Sequence, residues 1–585
     1  TSTSGTAIVL ATGATVSDMV EIVVYDVFSV SDTVSKSAGG TFDASVTFAG
    51  DIIKGTSGTS NFAAGVNAGN SIASGGNYNT VVGDEAGTAL TTGDNNVAIG
   101  YKALKTEDAH GTNVAVGTEA LETLNAGAEG YNVAVGYKAS EAETTGKENT
   151  MVGAFAGGLG TTASRAVGLG YSALYRQNPD SLTTTYNIAI GYNTGSNITT
   201  GVQNVIIGGL AGDALTTGPD NVAIGFEALS TEDGNGYNVA VGSQALKTYN
   251  VGGDGKTVAV GYRSGTALTT GQFNTLLGVD SGQTMTTGQY NVAVGIEALH
   301  SDTESNRNTA VGSAALYSLN TSGAVYNVGV GYGAASSLTT GIQNVIMGGN
   351  AGNALTDADK NVAIGTDALG AATKSNYSVA IGQDALSAQN HTTSTNCFNI
   401  GIGSQSGQTI TTGTNLICIG HSADPSAADG TDQIVMGKDV TGAGNQHFTF
   451  GDGGTDSAIQ MGATSISAPS DIRLKEDVKD ETVGLSFINE LRPVTFQWRK
   501  AKDVPSEMKV HSDSEERVMN GKYNHGFIAQ EVKEIMDKYD IKEGLGLWRE
   551  DEADGRQRIA EGELVPFLVK AIQELSAEVT ALKGA

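Results

Sequence analysis

The chain has 585 residues, 81 of them glycine, and 62 acidic against 33 basic side chains give it a formal net charge of −29. That charge argues against a nucleic-acid-binding protein, which needs basic patches for phosphates, and no apolar run reaches the roughly 20 residues of a membrane helix. Two cysteines cannot form a disulfide framework, and so few suit folding in a reducing cytoplasm.

The chain begins at Thr1 without a signal peptide, which reads as a protein whose N-terminal part is missing. Residues 1–38 carry two short apolar runs, Ile8 to Leu10 and Val20 to Tyr25, with Gly13 and Asp18 as turn residues between them. They read as the end of an N-terminal β module. Gly39-Gly40 opens a polar linker, 39–55, with a short strand expected at Ala44 to Phe48.

A repeat fills 56–462. Its kernel, Asn-Val-Ala-Ile-Gly at 96–100, recurs at Asn113 to Gly117, Asn132 to Gly136, Asn221 to Gly225, Asn291 to Gly295 and Asn361 to Gly365. The closing glycine is a ruler: Gly83, Gly100 and Gly117 lie 17 residues apart, and the step lengthens to 19 or 21 at intervals. From Gly191 the long step returns every fourth unit, at Gly261, Gly331 and Gly403, which implies a four-coil superrepeat. Val97 and Ile99 fall on one face of a strand and Ala98 on the other. Ala103, Ala120 and Ala139 mark an always-small position, followed by apolar residues such as Leu104 and Leu121.

Two short strands and two turns per unit make one coil of a parallel β-solenoid, too thin to bury its apolar residues without stacked neighbours. About 20 to 24 coils at roughly 4.8 Å predict a rod on the order of 100 Å. The small face is suited to packing three rods together. Beyond Gly420 the period decays through Gly437 and Gly451 to Gly462, a tapering end that leads into a neck at 463–469. Cys418 takes the small strand position as a buried thiol, and Cys397 sits elsewhere in its coil, so the two are not stacked for bridging.

Several patterns in the array carry no chemistry. Gly168-Leu169-Gly170 matches a dinucleotide fingerprint by letters but precedes no helix. Tyr101, Tyr137, Tyr192, Tyr262 and Tyr332 follow the ruler glycine and form either a glycan-binding strip or a structural stack. No carboxylate pair stands out for glycoside hydrolysis, and no residues suggest a cofactor or metal.

Composition changes at Ser470. Both tryptophans, Trp498 and Trp548, and 18 of the 33 basic residues lie in 470–585, with only 8 of the 81 glycines. The segment opens with Ser470-Asp471-Ile472-Arg473-Leu474-Lys475, continues with Phe487 to Trp498 and Gly526 to Val532, and closes on Val565, Leu568, Ile572, Leu575, Val579 and Leu582 at steps of 3 and 4. That closing pattern is a three-heptad coiled coil; a helix packed on its own domain is the alternative. Its β-branched a and Leu d positions favour two strands.

These three blocks resemble the endosialidase-type intramolecular chaperone of phage tail fibres and tailspikes, and the repeat resembles the β-roll heads of trimeric autotransporter adhesins. The resemblance implies a mainly β homotrimer: a parallel β-solenoid (β-roll) rod followed by a small α+β auto-processing domain, 470–585, ending in a coiled-coil helix. It further implies a virion tail fibre assembled in the host cytoplasm, joined to the phage tail or baseplate through the missing N-terminal part, which attaches to a host-surface receptor, expected to be a glycan. A Ser-Lys dyad would cut the chain, with Ser470 as nucleophile, Lys475 as general base, and a cleavage site between Ser470 and Asp471. A serine hydroxyl needs a base to take its proton, and a lysine serves only when neutral, hence desolvated. Attack on the Pro469 carbonyl is a five-membered shift, attack on its own carbonyl needs a four-membered ring, and attack from another subunit avoids both. Two other readings compete: a bacterial adhesin would end in a membrane-anchoring barrel rather than a charged coiled coil, and a glycan-degrading tailspike would need a catalytic constellation in the rod.

Overall fold

The computed structural model describes residues 56–584, apart from 180, 182, 464–465, 468–469, 520, 542–545 and 552–554. The β module expected at 1–38 and the linker at 39–55 lie outside the described residues. The chain divides into two compact units, one up to Ala468 and one from Pro469.

The first unit is a parallel β-solenoid. Each coil contributes a three-residue strand that pairs in parallel with the next at constant register, as in Val97↔Val114, Ala98↔Ala115 and Ile99↔Val116. Some longer coils add a side strand that pairs with the coil before it, as Ser322–Ala324 does with Glu304–Asn306. Strands lengthen at Thr414–Ile419, Thr431–Lys438 and His447–Asp452, and Ser457–Gln460 then turns back antiparallel to close the sheet.

Two expectations about the coil need correction. The second apolar segment is not a strand: Leu104 is a left-handed turn residue, φ 51°, whose N–H reaches the Ala120 carbonyl of the next coil at 2.9 Å. The small face also points inward. Ala98 is fully buried, whereas Val97 is half-buried and Ile99 exposed. With a turn opposite it, the strand turns one central side chain per coil inward, and the β-branched pair faces out along the rod.

The ruler glycine has two reasons to be glycine. Gly100 sits at φ +132°, which a residue with a Cβ rarely adopts, and a Cβ there would lie 2.5 Å from the Gly117 carbonyl oxygen. Inside most coils, the asparagine before the strand forms a ladder. The N–H of Asn96 donates to Oδ1 of Asn79 at 2.9 Å, and the N–H of Asn113 donates to Oδ1 of Asn96 at 3.0 Å. Nδ2 of Asn79 closes its own coil on the Gly93 carbonyl at 2.8 Å. The ladder meets the demand for partners that burial imposes on polar groups and holds the register of the stack.

Core volume is shared between two positions in most coils. Where the strand centre is large (Val81, Met151, Ile206, Leu276, Ile346), the residue six positions later is glycine (Gly87, Gly157, Gly212, Gly282, Gly352). At most alanine centres, as at Ala98, Ala223 and Ala293, that residue is Leu104, Leu229 or Leu299, whereas Ala189 and Ala259, one coil before the large Ile206 and Leu276, are followed by Gly195 and Gly265. Ile206, Leu276 and Ile346 recur once per four coils, so the superrepeat is also a packing repeat.

The second unit packs helix α1 (Leu485–Glu490), helix α2 (Ala529–Lys538) and helix α3 (Val565–Gly584) with two antiparallel strand pairs, Val494–Phe496 with Asn524–Gly526 and Trp548–Glu550 with Gln557–Ile559. Phe487 is fully buried at its centre, against Val532, Met536, Leu547, Leu564 and Phe567.

Candidate functional site

The hexapeptide at 470–475 folds on itself. Asp471 caps a single 3-10 turn, Ile472–Leu474, by accepting the Arg473 N–H at 2.9 Å. The Arg473 guanidinium grips the same carboxylate, Nε to Oδ1 at 3.0 Å and the terminal nitrogen to Oδ2 at 2.5 Å, which holds the Asp471 carboxyl below its ordinary range. The turn brings Lys475 back over Ser470, and Lys475 Nζ donates to Ser470 Oγ at 2.7 Å. Each polar residue of Ser-Asp-x-Arg-x-Lys thus plays a local part, since Asp caps the turn, Arg clamps Asp, and Lys reaches the serine.

Both Ser470 and Lys475 are exposed. In this arrangement the lysine is the donor and the hydroxyl the acceptor. Proton removal from Ser470 needs the opposite polarity, which requires a neutral Lys475.

Residues 470–541 match the family model described as the chaperone of endosialidase. The C-terminal unit carries an endosialidase-type chaperone domain. No curated protein and no solved structure matches the chain significantly. The chaperone domain and a solenoid of 17-residue coils on one chain fit a phage tail fibre or tailspike-like protein.

In the chaperone domain, α3 has two faces. Phe567 and Ala571 are buried against the core, and Glu574 accepts the Leu485 N–H at 2.7 Å. The heptad residues Val565, Leu568, Ile572, Leu575, Val579 and Leu582 are all exposed. The helix therefore packs on its own domain with a different stripe, and the heptad stripe has no partner among the described residues. Among those residues, too, no helix is long and apolar enough to cross a membrane.

On the rod, Tyr101, Tyr137, Tyr192, Tyr262 and Tyr332 are exposed, and Tyr192 stacks on Tyr171 at 5.5 Å. Cys397 and Cys418 are buried free thiols, and burial pushes Cys418 up to about 12. Sequence reasoning missed the carboxyls inside the rod. Glu107, Glu143, Glu232 and Asp302 each sit seven residues after a ruler glycine, where Leu90, Leu124 and Leu215 pack in other coils. Burial pushes Glu143 up to about 8 and Asp302 to about 6. Glu143 Oε1 accepts the Gly146 N–H at 2.8 Å, so the carboxyl closes a turn inside the coil. Counting from the ruler would have exposed this column. Glu119, Glu122 and Glu141 also cluster, but Lys102 and Lys138 bridge them.

Proposed function

We propose that the protein is a homotrimeric tail fibre for host attachment, whose C-terminal domain assembles the rod and then cuts the chain beside Ser470. The observation that carries this reading is the 2.7 Å hydrogen bond from Lys475 to Ser470 at the start of a chaperone-of-endosialidase domain. Two unpartnered apolar surfaces support the trimer: the outward Val/Ile column of the solenoid and the heptad stripe of α3. The strand column keeps its register from coil to coil, so copies aligned in parallel would meet equivalent positions at successive coils. Long parallel arrays fold slowly and expose unpaired edges on the way, which is the physical use of a helper domain.

Cleavage follows assembly in this scheme, because neighbouring copies supply the desolvation that the exposed Lys475 lacks and favour its neutral form. Neutral Nζ takes the Ser470 proton as Oγ attacks a carbonyl carbon and forms an ester. The departing backbone nitrogen takes a proton from Lys475, and water then hydrolyses the ester. Removing the helper leaves a fibre that is kinetically trapped, since the domain that guided pairing no longer reverses it.

Denaturing gels and intact mass test the scheme. Wild type releases 470–585, or the segment beginning at Asp471, while Ser470→Ala and Lys475→Ala stay full length and still form the native trimer. N-terminal sequencing of the fragment tells attack on the Pro469 carbonyl from attack on that of Ser470. Cleavage at residue 470 in both alanine variants refutes the dyad, and a monomeric native mass refutes the trimer.

A further inference from the structure

The residue just before the asparagine ladder lies outside the coil in a left-handed turn, and stacking aligns it into a column. Across ten successive coils this column reads Tyr237, Lys256, Phe273, Tyr290, Arg307, Tyr326, Gln343, Lys360, Tyr377 and Phe398, all at φ between 47° and 65°. All ten are exposed. Asn95 and Asn415 hold the same position nearer the rod ends, also at positive φ, and asparagine is the residue such a turn prefers. Bulky rings and long cations here are a choice beyond what the turn needs, and side chains held in a costly conformation point to use.

The rungs contact one another. Phe273 and Tyr290 stack at 4.9 Å, and Tyr377 and Phe398 at 5.2 Å. The Arg307 guanidinium lies 5.4 Å from the Tyr290 ring and 5.6 Å from that of Tyr326, with no ion pair among the described residues. Lys360 Nζ donates to the Tyr377 hydroxyl at 2.7 Å; Lys256 has Asp254 at 3.4 Å. The ladder holds three cations and no acid, in a chain whose net charge is −29. At about 4.8 Å per rung it extends about 40 Å along the rod.

The geometry points to an acidic polysaccharide lying along this ladder, its carboxylates, or phosphates where it carries them, paired with Lys256, Arg307 and Lys360, and its hydroxyls on the four tyrosine phenols. Cations held between rings are positioned before binding, which lowers the ordering cost. A second copy of the chain fits less well. Parallel copies would meet along their whole length, as the outward Val/Ile column allows, whereas only these ten coils are free of acids: nearer the N-terminal end Tyr78, Tyr131, Arg165 and Tyr186 are interspersed with Asn95, Thr112, Glu148 and Asp220, and Glu148 neutralises Arg165 at 2.7 Å. This inference rests on the attachment reading and names its partner class.

Immobilised polygalacturonate, polysialate and glycerol teichoate are the acidic probes, dextran is the neutral control, and the ligand in solution is the full chain. At least one acidic polymer binds, dextran does not, and binding weakens as salt rises. The Arg307→Gln/Lys360→Gln variant loses at least tenfold in affinity, as does Tyr290→Leu/Tyr326→Leu, while Lys102→Gln, a cation outside the column, changes nothing. Native mass is the same for all. Failure of every acidic polymer to bind, binding that ignores the ladder variants, or an altered oligomeric state in Arg307→Gln/Lys360→Gln overturns the ladder. Adsorption of the labelled chain to a panel of capsulated bacteria separates the two readings: adsorption without ladder dependence overturns the ladder alone, and no adsorption overturns attachment as well.

Discussion

Exchanging the partners of one packing pair tests how the rod is built. Ile206 is fully buried at a strand centre, and a Cβ on Gly212 would lie 3.1 Å from Ile206 Cδ1 and 2.9 Å from Leu215 Cδ1. Ile206→Ala leaves a void and costs about 3 kcal/mol. Gly212→Leu alone drives a side chain into filled space and costs about 2 kcal/mol. Backbone strain adds little to this, because leucine already sits at the equivalent left-handed position at Leu229 and Leu246, φ 52° and 49°. The double variant recreates the combination at Ala310, Leu316 and Leu319, where all three are fully buried. It should therefore lose only about 2 kcal/mol where independent sites would lose about 5, a coupling of about 3 kcal/mol, at the upper end for contacting residues. Stacked coils respond locally, so amide exchange at Val205–Ile207 reports the effect directly. A double variant as unstable as the two single losses together would show that coil volume is not shared between these positions.

Two further outcomes follow from the buried corner of the rod and from α3. Because burial holds the Glu143 carboxyl at about 8 against 4.5 when unfolded, the folded coil keeps a proton that the unfolded chain releases. Rod stability should therefore fall as pH rises from about 4.5 to about 8 and level off above, a loss on the order of 5 kcal/mol from this group. Glu143→Gln should lessen that slope in urea unfolding measured across this range, leaving the smaller part due to the other buried carboxyls such as Asp302, since Gln177 and Gln389 already occupy the same corner in other coils; an unchanged slope refutes the assignment. Leu575→Asp should abolish assembly while leaving the domain core around Phe487 folded, as native mass and near-UV circular dichroism would report, and a variant that still assembles would leave the heptad stripe without its proposed role.

Much of the architecture is legible from residue order, because a solenoid repeats one local solution. The ruler glycine sets the period, since a φ near +130° and the carbonyl of the next coil leave room for no other residue. The four-coil superrepeat is visible in the spacing of Gly191, Gly261, Gly331 and Gly403, and the chaperone domain in the blocks at Ser470, Phe487 and Gly526. At the candidate site, Ser470 and Lys475 can be named from the motif, but the turn that joins them depends on Asp471 and Arg473.

Alternation alone says that Val97 and Ile99 face opposite to Ala98, and it leaves open which side is inside. Three dimensions decide that: the central residue of the strand faces the turn across the coil, with a leucine of that turn filling the space over Ala98, and asparagine side chains add hydrogen bonds from coil to coil. The second apolar segment likewise becomes a left-handed turn because its N–H groups bond to the next coil from that conformation. The aromatic and cationic column is scattered through the sequence at steps of 17, 19 and 21 residues. Stacking alone brings it together, because longer coils loop out their extra residues and keep the register of the ladder.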